Sequence, residues 1–204
     1  MNKSLLIILT RNPELGKVKT RLAKSIGNQN ALDIYKFLLD YTVKITNGLT
    51  VDKAVYYSER VIENDLWSSD IYQKKAQSGE DLGERIQNAF QNAFQSGYEK
   101  VVIIGSDMYD LKQNHLQEAF EKLDKHDVVI GPAEDGGYYL MGMNKLYLNA
   151  FRKKAWGTET VLKDTLNDLG ELDIALMEML NDIDVYEDIA DNEAFQPFLK
   201  HLNV

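Results

Sequence analysis

Short apolar runs alternate along the chain with segments in which apolar residues recur at helical spacing. The runs predict strands at 3–9, 53–58, 71–77, 100–105, 127–131, 138–143 and 172–177. The helical spacing predicts helices over 31–45, 81–97, about 113–124, 158–170 and about 187–201. Strands that alternate with helices form β-α-β units, so we expect an α/β fold with a mostly parallel sheet between two helical layers. Ligands of such sheets bind beyond the carboxyl ends of the strands, and residues that follow strands are therefore the candidates for function.

Length, composition and net charge exclude several classes of protein and of partner. The 204 residues suit one domain spanning 1–204, and the absence of cysteine excludes disulfides, thiolate zinc sites and thiol nucleophiles. The longest apolar run, at 5–9, is too short for a signal peptide or a membrane span, which predicts a cytoplasmic protein without a membrane partner. A net charge of −9 argues against nucleic acid as a partner.

The charge is nevertheless uneven, because one segment is basic. Residues 11–24 contain five bases and a single acid, Glu14. This segment follows the first predicted strand, and it combines cations, Gly16 and the start of a helix, which are the features that bind phosphate. It matches neither a Walker loop nor a dinucleotide fingerprint, and a solvated basic loop is the alternative interpretation.

Two acidic motifs are candidates for a metal site. Asp107 comes directly after the strand at 100–105, where it could hold Mg²⁺ or Mn²⁺ or could simply form an Asx turn. Asp184 could be a second metal ligand, although Asp184 and Glu187 also match a helix capping box.

A third motif places Gly136 and Gly137 between two predicted strands. An ordinary hairpin turn is the simpler interpretation, and close backbone approach to a sugar or base, with Asp135 accepting hydroxyl hydrogen bonds, is the other.

Taken together, the motifs resemble a family of GT-A-like transferases related to the molybdenum cofactor and 2-phospholactate guanylyltransferases, some members of which are arsenosugar glycosyltransferases. The matching blocks run in family order through nearly the whole chain, at 13–22, 79–85, 105–111, 131–140, 156–158 and 182–188. Three loop prolines common in the family are absent here, which leaves these loops less restricted in φ.

The resemblance implies a nucleotide-diphospho-sugar transferase fold and a set of site residues. Its nucleotide contacts would be Thr10, Arg11, Gly16, Lys17, Lys19, Thr20, Arg21, Gly79, Asp81, Gly83 and Arg85. Its metal ligands would be Asp107 and Asp184. From the motifs and the chemistry of sugar transfer we further expect catalytic residues at Asp107, Asp135 and Lys19, and sugar or acceptor contacts at Asp135, Gly136, Gly137, Tyr138 and Trp156.

The first functional hypothesis is a metal-dependent glycosyltransferase with a nucleotide-sugar donor and a small-molecule acceptor. The second is a nucleotidyltransferase that joins a nucleoside triphosphate to a phosphorylated acceptor. The third is a non-catalytic nucleotide-binding regulator, which would have no need of two carboxylates at a metal site.

Overall fold

The computed structural model describes residues 3–152 and 154–200. In this part of the chain one sheet has seven strands, namely β1 (Ser4–Thr10), β2 (Asp52–Tyr57), β3 (Tyr72–Ala76), β4 (Lys100–Gly105), β5 (Val128–Pro132), β6 (Tyr138–Met143) and β7 (Ile174–Leu176). Their order across the sheet is β3-β2-β1-β4-β6-β5-β7, and only β6 runs antiparallel to its neighbours. The predicted mostly parallel sheet is confirmed.

Helices cover both faces of the sheet. They are α1 (Thr20–Thr46), α2 (Leu82–Gln95), α3 (Gln113–Lys122), α4 (Val161–Asp168) and the short α5 (Gln196–Leu199). Leu6 and Ile8 of β1 pack with α1 and α3 in one core, whereas Leu5 and Ile7 pack with α2 in the other. A strand buried on both faces needs a continuous apolar run, which is what 5–9 provides. The three-layer α/β/α architecture therefore follows from the pattern of β1.

Two helix predictions need correction. Helix α1 begins at Thr20, eleven residues before the predicted start, because Gly27, at φ 82° and ψ 158°, kinks it and interrupts its apolar spacing. The predicted helix over 187–201 is wrong within the described residues, and residue 201 lies outside them. That segment forms a 3-10 turn at Tyr186–Asp188 and then α5, where Pro197 has no N–H to continue a helix from upstream. In the described part of the chain, no helix combines the length and the apolar character that crossing a membrane requires.

Candidate functional site

The candidate residues gather at the carboxyl edge of the sheet. The basic segment follows β1, the 79–85 segment follows β3, Asp107 follows β4, the 133–137 turn follows β5, and Asp184 follows β7. Because β6 is antiparallel, Tyr138 at its start lies at this same edge. The sheet topology thus brings together segments that are far apart in sequence.

Lys19 has an unusual backbone conformation and a buried side chain. It is the N-cap of α1 with φ 45° and ψ 46°, and it is the only non-glycine residue with positive φ among those the structure describes. Its side chain is 5% exposed. Left-handed backbone at a residue with a Cβ costs about 1 kcal/mol or more and is found where the surrounding structure requires it.

Lys19 forms an ion pair with Asp107. Its Nζ donates to Oδ2 of Asp107 at 2.7 Å. Burial acts to lower the pKa of Lys19, but the charge and hydrogen bond of Asp107, together with the charges of Asp182 and Asp184, outweigh it, and the pKa lies above its ordinary value. Burial likewise acts to raise the pKa of Asp107, yet Lys19 holds it below the ordinary range. Both groups are therefore charged at neutral pH.

A second ion pair joins the basic segment to the last acidic motif. Nη1 of Arg21 donates to Oδ2 of Asp184 at 2.7 Å, with the side chains 68% and 32% exposed. The predicted capping box of Asp184 and Glu187 is wrong. Oδ2 of Asp188 instead accepts from the backbone N–H groups of Asp184 and Val185. The carboxylate of Asp184 is thus directed to Arg21 and not to a helix terminus.

The other residues of the basic segment differ in their burial and in their contacts. Arg11, Gly16 and Thr20 are exposed, and Gly16 makes its turn with φ 74°. Lys17 is also exposed and forms a 2.7 Å ion pair with Glu14. Thr10 is buried and its hydroxyl bonds with those of Tyr35 and Ser106, so it contributes to the placement of the segment.

The 79–85 segment is closed onto the start of α2. Oδ1 of Asp81 accepts from the backbone N–H of Glu84 at 2.8 Å, so Asp81 is an N-cap as its spacing predicts. Arg85 donates through Nε to the carbonyl oxygen of Gly79 at 3.1 Å. A Cβ on Gly83 would lie 2.2 Å from Nε1 of Trp156, so only glycine allows this approach. The contact brings Trp156 to the 79–85 segment.

The turn between β5 and β6 is a hairpin, as its two glycines predict. The N–H of Gly137 donates to Oδ1 of Asp135 at 2.8 Å, which leaves Oδ2 for other partners. Gly136 has φ 85°, and a Cβ there would lie 2.2 Å from the carbonyl oxygen of Glu159. Tyr138 contacts Trp156 edge to face, with ring centroids 6.4 Å apart. The turn is therefore packed against the segment that contains Trp156.

Asp107, Asp135, Asp182 and Asp184 form an acidic cluster, and Asp182 is the member that the sequence analysis did not select. Burial first, and then the charges of neighbouring carboxylates, raise the pKa of Asp182 to about 6, although Lys19 acts in the opposite direction. Those neighbours are Asp107, Asp135 and Asp184. A second aspartate two residues before Asp184 was visible in the sequence, but only the fold brings it beside Lys19.

The shift at Asp182 predicts a pH-dependent gain in stability for Asp182→Asn. The pKa of this carboxyl group is higher in the folded state than its ordinary 3.8, so its ionisation costs more in the folded protein. The free energy of unfolding therefore falls as the pH rises from about 4 to about 6, and the full loss persists above pH 6. The substitution should therefore stabilise the protein at pH 8 by about 1 kcal/mol, allowing for solvent screening, and should give no gain at pH 4.

Urea unfolding at pH 4 and pH 8 measures this difference. Asp191→Asn is the matched control, since Asp191 is an exposed carboxylate in the same part of the chain. An equal effect of Asp182→Asn at both pH values would contradict the expectation.

The acidic cluster fits a hard divalent cation in its chemistry. Carboxylate oxygens are the ligands that Mg²⁺ and Mn²⁺ prefer, and a cation would relieve the repulsion that raises the pKa of Asp182. Within residues 3–152 and 154–200, however, no three acidic or histidine side chains already stand close enough to hold a metal ion. Two of the carboxylates, on Asp107 and Asp184, point at Lys19 and Arg21.

A cavity elsewhere on the surface does not coincide with this cluster. It has a volume of about 590 Å³ and is lined by residues that include Tyr147, Arg152 and Asp168. None of the candidate residues lines this cavity, so the cavity and the cluster of candidate side chains lie at different places on the surface.

Comparison with known proteins identifies one family and one fold. The family described as "Uncharacterized protein conserved in bacteria (DUF2064)" matches residues 42–158. A search of curated proteins gives no significant match. A solved protein from Desulfovibrio desulfuricans G20, provisionally described as a nucleotide-diphospho-sugar transferase, has a TM-score of 0.85 and 29% sequence identity, covering 98% of this chain and 95% of its own.

More distant solved structures share the fold. A cytidylyltransferase from Leptospira borgpetersenii has a TM-score of 0.59 at 13% identity, covering 92% of this chain and 84% of its own. A Mycobacterium tuberculosis H37Rv protein in complex with manganese has a TM-score of 0.57 at 10% identity, covering 99% of this chain and all of its own, 100%. The GT-A-like, nucleotide-diphospho-sugar transferase fold expected from the sequence motifs is confirmed.

Proposed function

We propose, from the premise that the chain belongs to the DUF2064 family and has the nucleotide-diphospho-sugar transferase fold, that it is a metal-dependent glycosyltransferase. It would transfer a sugar from a nucleotide-sugar donor to a small-molecule acceptor, as one catalytic domain in the cytoplasm. The observation that carries the proposal is the cluster of carboxylates around a buried lysine at the carboxyl edge of the sheet. The description of the Desulfovibrio desulfuricans protein supports the choice of a sugar transferase.

The charges of the cluster suit a diphosphate and a metal ion together. Asp107 and Asp184 would hold the cation, with Asp182 beside them, and the cation would supply neutralisation of the departing diphosphate. Lys19 and Arg21, released from their carboxylate partners, would donate to the same diphosphate as its charge develops.

The remaining candidates would form the two ends of the binding site. The exposed part of the basic segment and the 79–85 segment would contact the nucleotide. Tyr138 and Trp156 would contact the sugar or acceptor, next to the hairpin turn. Oδ2 of Asp135 is free of the Asx turn and would take the proton of the acceptor hydroxyl as general base.

Ligand stabilisation tests the proposal directly. A ligand at one hundred times its Kd adds about 2.7 kcal/mol to the free energy of unfolding, which raises the Tm of a protein of this size by roughly 5–10 °C. We expect nucleoside diphosphates or nucleotide-sugars to produce this shift, and to produce more of it with Mn²⁺ or Mg²⁺. Thermal unfolding with ADP, CDP, GDP, UDP and their sugars measures it. A Tm that no nucleotide changes at millimolar concentration with either metal would overturn the proposal.

Nucleotidyl transfer is the second candidate, because the same lysine and arginine side chains and the same metal serve both reactions and a cytidylyltransferase shares the fold. The products distinguish them. A glycosyltransferase releases nucleoside diphosphate from a nucleotide-sugar, whereas a nucleotidyltransferase releases pyrophosphate from a triphosphate. Pyrophosphate without diphosphate would favour the second candidate. A non-catalytic regulator would release neither, and the transferase descriptions of the neighbours argue against it.

A further inference from the structure

Three buried hydroxyl groups form a triangle directly beneath the candidate site. Tyr35 OH lies 3.2 Å from Oγ1 of Thr10 and 3.2 Å from Oγ of Ser106, and the Ser106 hydroxyl donates to Thr10 at 3.1 Å. All three residues are at most 3% exposed. None of the three belongs to the cluster of charged residues described above.

Each corner of the triangle belongs to an element that carries part of the site. Thr10 is the last residue of β1 and precedes the basic segment, Ser106 follows β4 and precedes Asp107, and Tyr35 lies on α1, the helix that Lys19 caps. The triangle therefore connects the three backbone segments that place the Lys19–Asp107 ion pair.

Tyr35 has the most contacts of the three. Besides the other two hydroxyls, its oxygen accepts from the backbone N–H of Arg11 at 2.8 Å and lies 3.2 Å from the carbonyl oxygen of Arg11. A phenol has one proton to donate and can accept from two donors. When Ser106 donates to Thr10, Thr10 to Tyr35 and Tyr35 to Ser106, each hydroxyl donates once. The phenol then accepts from Thr10 and from the N–H of Arg11, which uses its whole hydrogen-bonding capacity. Without the phenol oxygen, the N–H of Arg11 loses this acceptor and the triangle is open.

We propose that Tyr35 is a positioning residue, whose hydroxyl sets the distance between the basic segment after β1 and the acidic segment after β4. The inference rests on the proposed function, since it assigns to Tyr35 the alignment of the groups that would bind diphosphate and metal. Its effect is on ligand affinity, through Arg11, Lys19 and Asp107, and not only on stability.

The chain contains a matched control for this role. Tyr72 is buried to a similar degree, at 1% exposed, and its hydroxyl bonds to Oγ1 of Thr46 at 2.8 Å. Thr46 is the last residue of α1 and Tyr72 the first of β3. This bond therefore joins the same helix to the amino ends of the parallel strands, away from the carboxyl ends where the candidate residues lie. Tyr72→Phe removes a buried tyrosine–threonine hydrogen bond without touching the candidate site.

The experiment compares Tyr35→Phe with Tyr72→Phe by calorimetric titration in Mn²⁺, well below both unfolding transitions. The probe is whichever of ADP, CDP, GDP and UDP raises the Tm of the parent most. Both variants should lose stability, but Kd should rise at least fivefold in Tyr35→Phe and stay within twofold in Tyr72→Phe. If Tyr35→Phe does not fold, Ser106→Ala opens the same triangle and should raise Kd at least threefold.

An affinity within twofold of the parent in Tyr35→Phe, or in Ser106→Ala where Tyr35→Phe does not fold, would overturn the role of Tyr35 and leave the proposed function standing. An equal loss of affinity in Tyr72→Phe would overturn it as well, since the effect would then be general. If the parent binds none of the four nucleotides, the proposed function fails and the role of Tyr35 falls with it.

Discussion

Asp184→Asn is expected to weaken metal-dependent nucleotide binding at least a hundredfold while Tm changes by no more than a few degrees. Asn brings no charge to offset a hard divalent cation, so a metal ligand is lost. The structural cost is small, because the carboxylate of Asp184, 32% exposed, caps no helix and pairs with an Arg21 side chain that is 68% exposed. Exposed pairs of this kind contribute about 0–1 kcal/mol. Titration of nucleotide with and without Mn²⁺, together with thermal unfolding, measures both quantities.

Asp191→Asn provides the control for Asp184→Asn, since it makes the same chemical change at an exposed position in the same region. Asp107→Asn is a less informative test, because it would leave the ammonium of Lys19, 5% exposed, without its partner. Breaking a buried ion pair in this way costs about 3–5 kcal/mol, which would confuse loss of binding with loss of fold. If Asp184→Asn binds nucleotide and metal like the parent, the metal would have to rest on the other carboxylates.

Lys19→Asn is expected to lower nucleotide affinity ten- to a hundredfold, with a smaller loss of stability than Asp107→Asn. A charge-assisted hydrogen bond to a desolvated phosphate contributes about 1.5–3 kcal/mol, and the substitution removes it. Some stability should be lost, because burial disfavours the charge of Asp107 and Lys19 no longer offsets it, although the Asp107 side chain, 38% exposed, keeps contact with solvent. Asparagine also tolerates the left-handed backbone at this position better than most residues. Calorimetric titration with nucleoside diphosphate measures the affinity.

Lys36→Ala controls for the general loss of positive charge, since Lys36 is an exposed base on the same helix and lies outside the basic segment. Titration of Mn²⁺ alone adds a second readout for Lys19→Asn. Metal binding without nucleotide should be unchanged or stronger, because the ammonium no longer competes for Asp107. Unchanged nucleotide affinity in Lys19→Asn would mean that the ion pair is only structural.

The position of the candidate residues in the fold followed from one general rule. Residues that follow parallel strands meet at one edge, so Lys19, Asp107, Asp135 and Asp184 were selected from strand positions and motifs, and the structure brings them to that edge. Tyr35 was visible only as an apolar position of a helix, since nothing local distinguishes a tyrosine whose hydroxyl is bonded from one that only packs.

The sequence by itself determined the strands, most of the helices and the edge of the sheet where the candidate residues lie. Those features depend on apolar spacing and turn residues, which are properties of neighbours along the chain. Only the tertiary structure decided which charges meet. Lys19 pairs with a residue 88 positions away and Arg21 with one 163 positions away, and Asp182 lies near three other carboxylates. Such contacts follow from the order of strands in the sheet, because strand order sets which loops are adjacent and no local pattern records it.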